Sequence, residues 1–436
     1  MSEACSLVTP GGRCGYGGTI MTVTTIHPPS APVGPVQRGA PIGFAEFVAL
    51  VASLMALGAI GTDAMLPALP AIGDALHVAG ANARQFVITA FVIGFGVAQL
   101  IHGPLADRYG RRRVLMTSLA CYAIANIAAA SAGSFPLLLV ARAFGGAAIA
   151  ATRVATVAMV RDCYVGRAMA RVMSIAFIVF MIVPVLAPTF GAAILLFGKW
   201  RGIFWAIAAL AIGVFCWFAK RMPETLAPYD RSPISVERIL RGWRTALTDR
   251  LSIGYTLATA ALMGAMYGYL NSIQQIVADA FGRPRLLVLI FATTAMTMAG
   301  ANLVNARLVM RIGTRRISHG AVCMLIATAL VHLVVALSGH ETLVGFAVLQ
   351  AITLGCFGLS AANFSSMAME RMGAIAGTAS SVQGFLSVTT GAVVGASIGQ
   401  AFDGSVVPLT GGFLAAGLVA LIMVAVTERG RLFHRA

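Results

Sequence analysis

Charge is what this chain has least of. Asp, Glu, Lys and Arg make up 11% of its 436 residues, and only 15 residues are acidic. A soluble protein of this length needs about 25% charge to cover its surface, so a soluble globular fold is excluded. The seven cysteines include no Cys-x-x-Cys pair, and five of them (Cys121, Cys163, Cys216, Cys323, Cys356) fall in or beside apolar segments. They read as small packing residues rather than a disulfide framework. His77, His102, His319, His332 and His340 are scattered without ligand spacing, so no metal is expected. No Gly-x-x-x-x-Gly-Lys-Ser/Thr loop is present, which leaves ATP drive unsupported. No convergent set of nucleophile, base and metal ligands appears either, so an enzyme is not expected.

What is abundant is apolar: 58% of the residues, with a mean hydropathy of +0.87. A membrane-crossing helix needs ~20 mostly apolar residues. Twelve such stretches lie near 42–64, 85–105, 112–132, 136–158, 168–193, 201–220, 250–275, 285–310, 317–338, 342–368, 374–399 and 405–427. They are too long and too continuously apolar for barrel strands. The expected fold is an all-α membrane protein of twelve transmembrane helices in two pseudo-symmetric six-helix halves. Residues 1–41, rich in Gly, Pro, Ser and Thr, form an expected disordered cytoplasmic tail without a signal-peptide core, and Met21 offers a second start. The halves are expected over 42–220 and 250–427, joined by a cytoplasmic linker at 221–249 and followed by a short tail at 428–436.

The net charge of +16 has a topological reading. With the N-terminus inside, twenty-two Lys and Arg fall on cytoplasmic connections and the C-terminal tail, against five (Arg84, Lys199, Arg201, Arg283, Arg285) on outer loops. This is the positive-inside asymmetry, and it excludes nucleic-acid binding as the reason for the basicity. The halves also echo each other: Arg108-x-Gly110-x-Arg112-Arg113 returns as Arg311-x-Gly313-x-Arg315-Arg316, each after the second helix of its half. Two repeated six-helix halves suit a transporter that rocks about a site at mid-membrane.

Several motifs carry a family resemblance. Residues 103–113 read Gly-Pro-Leu-Ala-Asp-Arg-Tyr-Gly-Arg-Arg-Arg, and residues 63–70 read Asp-Ala-Met-Leu-Pro-Ala-Leu-Pro. Ala187-Pro188-x-x-Gly191, Trp200-Arg201-x-Ile203-Phe204, Pro223-Glu224-Thr225-Leu226 and Ala376-Gly377-Thr378-Ala379-Ser380 follow in order. Over 42–427 the chain resembles the major facilitator superfamily, and within it the drug:proton antiporters of the bicyclomycin/chloramphenicol-resistance type. It departs from that pattern at Ala64-Met65, where relatives carry Met-Tyr, and at Gly145, where they carry Gln.

The loop motif suits a latch. Gly103 permits close helix approach, and Asp107 can face the positive N-terminus of the eleventh helix near Gly373. Arg111 or Arg112 can pair with Asp162, which follows Arg161 at the inner end of the fourth helix. Together with Arg108 and Gly110 these residues would hold one state and release on rocking.

Asp63 is the one acid well inside a predicted span. An ionised carboxylate there costs several kcal/mol unless paired or protonated. Arg142, on the fourth helix, has a similar expected depth. Desolvation favours the neutral acid and a nearby Arg142 the charged one, which makes Asp63 the candidate proton-coupling residue and Arg142 its partner. The alternative role for Asp63 is a cap on the irregular Leu-Pro-Ala-Leu-Pro end of the first helix. Arg153 is expected to snorkel to the inner interface.

The resemblance links Pro184, Pro188 and Gly191, on a fifth helix packed against the eighth, to exchange rather than uptake; a simple kink is the bland reading. Tyr267, Tyr269, Asn271, Gln274 and Asn363 are candidate cavity residues for amphiphiles, with the tyrosines equally suited to an interfacial belt. The expected function is proton-coupled export of small hydrophobic compounds by a monomer in the bacterial inner membrane. It would draw on the proton gradient and need no cofactor, nucleic acid or protein partner. A transporter of one metabolite (a sugar, nucleoside or amino-acid derivative) is the competing reading.

Overall fold

A computed structural model describes residues 40–231 and 235–433; most of the expected N-terminal tail and the last three residues lie outside them. Every regular element among the described residues is helical. In the N-terminal half the long helices are α1 (Phe44–Asp63), α3 (Phe86–Tyr109), α4 (Arg111–Ala130), α5 (Phe135–Cys163), α6 (Gly166–Phe197) and α7 (Arg201–Arg221). Past Asp63 the chain continues through a 3-10 turn (Leu66–Ala68) into α2 (Leu69–Ala75), so Pro67 and Pro70 redirect the first span rather than end it. The C-terminal half comprises α9 (Arg250–Gln275), α10 (Leu287–Ile312), α11 (Thr314–Leu337), α12 (Leu343–Ala368), α13 (Ala376–Gln400) and α14 (Val407–Thr427). The 221–249 linker carries the amphipathic α8 (Val236–Thr248).

Eleven of these helices, among the described residues, are long and apolar enough to cross a membrane. The twelfth, α9, falls short because it holds Ser252, Thr256, Thr259, Asn271, Ser272, Gln274 and Gln275, all buried. Surrounded by α12, α13 and α14, it meets protein on most of its circumference, so its polar groups are not presented to lipid. The chain is therefore a multi-pass membrane protein, with twelve long helices among the described residues.

Within the N-terminal half α5 packs on α3 and α4, α4 on α7, and α1 on α6; in the C-terminal half α9 packs on α13 and α14, and α12 on α10 and α11. The broadest contacts between the halves are α3 with α13 and α6 with α10, with smaller ones from the Leu66–Ala68 turn to α9 and from the 3-10 segment Ala81–Gln85 to α13. Small residues make these approaches: a Cβ on Gly146 would overlap the Phe91 carbonyl, and one on Gly94 the Ala143 carbonyl. We call the end of the bundle bearing the α3–α4 connection the motif face, and the other end the distal face.

Candidate functional site

At the motif face the charges of the α3–α4 connection are tied within their own half. Arg111 is buried, donating from Nη1 to Asp107 at 2.6 Å and from Nε to Asp162 at 3.1 Å. Of the two arginines suggested for Asp162, Arg111 is thus the partner. Arg112 instead caps the end of α7, donating to the carbonyls of Met222 and Ala219 at 2.8 Å each. Glu224 accepts from the backbone N–H groups of Arg111 and Arg112, at 2.8 and 3.2 Å, which places a carboxylate at the positive end of α4. Gly110 has φ +97°, and a side chain there would overlap Glu224, so glycine is required twice over. Arg108 and Arg161 are exposed.

Asp107 does not engage α13. Its side chain is half-exposed and its ion pair runs to Arg111, four residues away on the same side. No hydrogen bond or ion pair joins Asp107 to α13 among the described residues, although Gly103 does lie against Ser381 of α13. The C-terminal echo forms a corresponding buried knot. Arg315 donates to Glu428 at 2.8 Å and Glu370 at 3.0 Å, and Tyr255 donates to Glu428 at 2.5 Å.

At the distal face the halves are sealed by amides. Asn82 donates to the carbonyls of Gln400 and Phe402 (3.0 and 2.9 Å), and Gln400 returns a bond to the Asn82 carbonyl at 2.8 Å. Gln275 donates to Asn82 at 2.8 Å and accepts from Gln85, while Arg84 pairs with Asp279 at 3.1 Å. Asn271 reaches Thr89 at 3.4 Å. Among the described residues, the hydrogen bonds joining the halves all lie at this face. The seal was invisible in the sequence because each member is a single amide near a span end, indistinguishable from ordinary loop polarity.

Between the faces, α3 and α13 run antiparallel with polar side chains seated on glycines of the opposite helix. Gln85 lies on Gly399, Thr389 on Gly96 (2.5 Å from an ideal Cβ), Gln99 on Gly384, and Ser381 near Gly103 (3.2 Å). Gln85 Oε1, Gln99 Nε2 and Thr389 Oγ1 are buried without partners.

Asp63 ends α1 with 7% of its surface exposed and makes no ion pair or hydrogen bond among the described residues. It does not meet Arg142. That guanidinium turns onto α3, donating from Nε to the Val87 carbonyl at 3.0 Å and stacking 4.3 Å above the Phe91 ring; Nη2 has no partner. The cause is the Gly145–Gly146 pair, which presses α5 onto α3 and α4. Gly145 faces Ala125 and Tyr122, 3.3 and 3.8 Å from an ideal Cβ. Equal depth in the membrane did not imply equal direction.

The electrostatic neighbours of Asp63 come from the other half: Tyr267 and Tyr269 of α9. Tyr267 is half-buried and also lies within electrostatic reach of the exposed Arg153 of α5. Tyr269 is interior, its hydroxyl 2.7 Å from Thr294 and its ring stacked on Phe291. Asn363 is interior too: it exchanges amide bonds with Asn305 at 2.9 and 3.1 Å, stapling α12 to α10. Asn271 belongs to the distal seal, and Gln274 is buried with an unpaired Oε1. Of the five expected cavity residues, Tyr267 and Tyr269 lie within electrostatic reach of Asp63, and of these two Tyr267 alone is not fully buried.

Gly191 of α6 fits directly over the Ala64 carbonyl, where a Cβ would overlap it. Helix α6, with Pro184 and Pro188 inside it, also packs along α10. It thereby touches both the segment after Asp63 and the other half. Near the distal face a groove of about 480 Å³ lies between α3, α5 and α13, walled by Phe86, Ile93, Leu139 and Val393 with Thr89, Ser397 and Gln400 as polar points.

The profile of the Major Facilitator Superfamily matches residues 51–399. An uncharacterized transporter of this type, YdgK of Bacillus subtilis, is 28% identical over 80% of this chain and 87% of its own length. A bicyclomycin resistance protein homolog of Haemophilus influenzae is 26% identical over 81% of this chain and 88% of its own. Among solved structures, a peptide transporter POT in complex with sulfate superposes with a TM-score of 0.69 at 13% identity, over 90% of this chain and 96% of that one. That likeness concerns the fold.

Proposed function

The chain belongs to the Major Facilitator Superfamily, and we propose that it exports small hydrophobic and amphiphilic compounds in exchange for protons by alternating access. The observation that carries the proposal is Asp63: an acid buried with no basic partner, at the junction of the halves, beside Tyr267 and under the α6 contact at Gly191. A buried unpaired carboxylate is costly when charged. Taking up or releasing a proton therefore changes the energy of whichever packing encloses it, which is the link coupling requires.

The positive-inside asymmetry supports a cytoplasmic motif face and a cytoplasmic N-terminus, in the inner membrane of a bacterium. In that orientation the amide cluster closes the exit and the motif-face latch is released, as in a state loading from the cytoplasm. Substrate then occupies the space between the halves near Tyr267 and Arg153. Opening the distal seal exposes Asp63 to the acidic side and lets substrate leave. The protein acts as a monomer, and the proton gradient is its only energy source. The naming of a relative for bicyclomycin resistance supports drugs as the substrate class.

The test is proton movement in everted membrane vesicles during addition of an amphiphilic drug panel. The proposal expects drug-triggered proton release from vesicles carrying the wild-type protein. Silence across the panel, with response to one sugar, nucleoside or amino-acid derivative, would replace drug export by transport of a single metabolite.

A further inference from the structure

Helix α8 is more apolar on its surface than its packing explains. At a period of 3.6 residues, Ile239, Gly242, Trp243 and Ala246 share one face. That face is docked: Ala246 clusters with Met372, Ala379 and Val382, against which Trp243 packs, and an ideal Cβ on Gly242 would sit 2.9 Å from Thr378. Helix α8 also packs on α9, and Asp249 at its end caps α9 through Ser252 N–H at 2.8 Å while pairing with Arg371 at 3.8 Å. The helix is thus anchored to the C-terminal half at the start of α13, the helix that forms the inter-half seam.

Beside the docked face runs a second apolar strip, Val236, Leu240 and Leu247, which is 66%, 53% and 43% exposed. Going round the helix from the strip, Arg244 borders it, Arg241 follows, paired within the helix to Glu237, and Arg238 stands on the far side; all three are exposed. The spans on either side end at Arg221 and begin at Arg250, which puts α8 level with the bilayer surface.

We propose that α8 is an interfacial lipid-binding helix: its Val236–Leu240–Leu247 strip sits at the boundary of headgroups and acyl chains, and Arg244, with Arg241 next to it, holds anionic phospholipid headgroups. A short apolar strip bordered by arginines, at the depth where headgroups lie, matches an acidic lipid in both charge and polarity. Because Gly242 and Ala246 rest on the first turns of α13, a lipid held there steadies that end of the seam. An anionic bilayer therefore favours the arrangement with α8 docked.

Two readouts test this on the full chain in nanodiscs of phosphatidylcholine with or without phosphatidylglycerol. The first is a nitroxide on Leu240→Cys, with the signal of the labelled wild type subtracted. It is expected to collide with oxygen more than with an aqueous nickel chelate. The second is the phosphatidylglycerol retained on extraction, read by native mass spectrometry. Wild type and the Arg241→Lys/Arg244→Lys variant are expected to prefer it, and Arg241→Gln/Arg244→Gln to lose at least about tenfold of that preference. A label open to nickel chelate, or shielded from both collision partners as under a protein partner or a second copy, would overturn the proposal. So would an unchanged lipid preference in the glutamine variant.

Discussion

Gly399→Ala should prop the distal seal open. An alanine Cβ would overlap Gln85 Oε1 and lie 2.9 Å from Asn271 Cβ. The backbone of α13 cannot yield easily, because Gly395, one turn earlier, is pressed onto Tyr267 and Gly268 of α9. Gln85 must therefore swing away, losing its bond to Gln275 and leaving buried amides unpaired. Orphaning such groups costs about 1–3 kcal/mol, and a cost paid only in the sealed state shifts the ratio of sealed to open molecules by about 5- to 150-fold. Nitroxides on Ala81→Cys and Arg285→Cys, at the distal ends of the two halves, report the separation by double electron–electron resonance. Wild type should give mainly the shorter distance and Gly399→Ala a large longer component. Gly411→Ala, with open space around its Cβ position, is the control expected to match wild type. An unchanged distribution in a well-folded Gly399→Ala protein would refute the reading of the amide cluster as a gate.

Three further outcomes follow from the same contacts. Arg142→Met removes a buried charge whose Nη2 has no partner among the described residues, so it should raise the detergent Tm by a few degrees; a lowered Tm would mean that the Val87 bond outweighs desolvation. Gly110→Ala combines a φ of +97° with overlap on Glu224 and should cost at least about 2 kcal/mol, seen as lost expression or a Tm drop, with no rescue from Glu224→Gln because the backbone strain remains. Asn363→Ala should destabilise by about 1–3 kcal/mol by stranding Asn305, while Asn305→Leu/Asn363→Leu restores Tm and neither alters the substrate range; a shifted range would return Asn363 to the cavity.

The spans were legible because ~20-residue apolar runs have few alternatives, and the repeat of Gly110 at Gly313 with flanking arginines marked the two halves. The isolation of Asp63 among apolar neighbours was legible too, since acids are rare enough for one to stand out. Direction was not. Whether Arg142 points to α1 or α3 depends on Gly145 and Gly146 drawing α5 against its neighbours, a packing fact with no periodicity. The same holds for Asn363, whose partner Asn305 lies on another helix 58 positions away. Helix α9 looked like any other span, yet its amides place it in the protein interior and at the seal. Helix α8 was hidden in a linker whose prolines (Pro223, Pro228, Pro233) advertise loop while the 13 residues after Ser235 alternate with helical period.

The central claim is that Asp63 couples the proton to the movement of the halves, and exchange in proteoliposomes tests it most directly. Purified wild type and Asp63→Asn are compared for drug accumulation driven by an imposed pH gradient and for drug–drug exchange with no gradient. The account predicts that Asp63→Asn loses gradient-driven accumulation and keeps exchange, because a permanently neutral residue 63 lets the halves rock without a proton. Gradient-driven accumulation that survives in Asp63→Asn would contradict the account and move the coupling acid elsewhere.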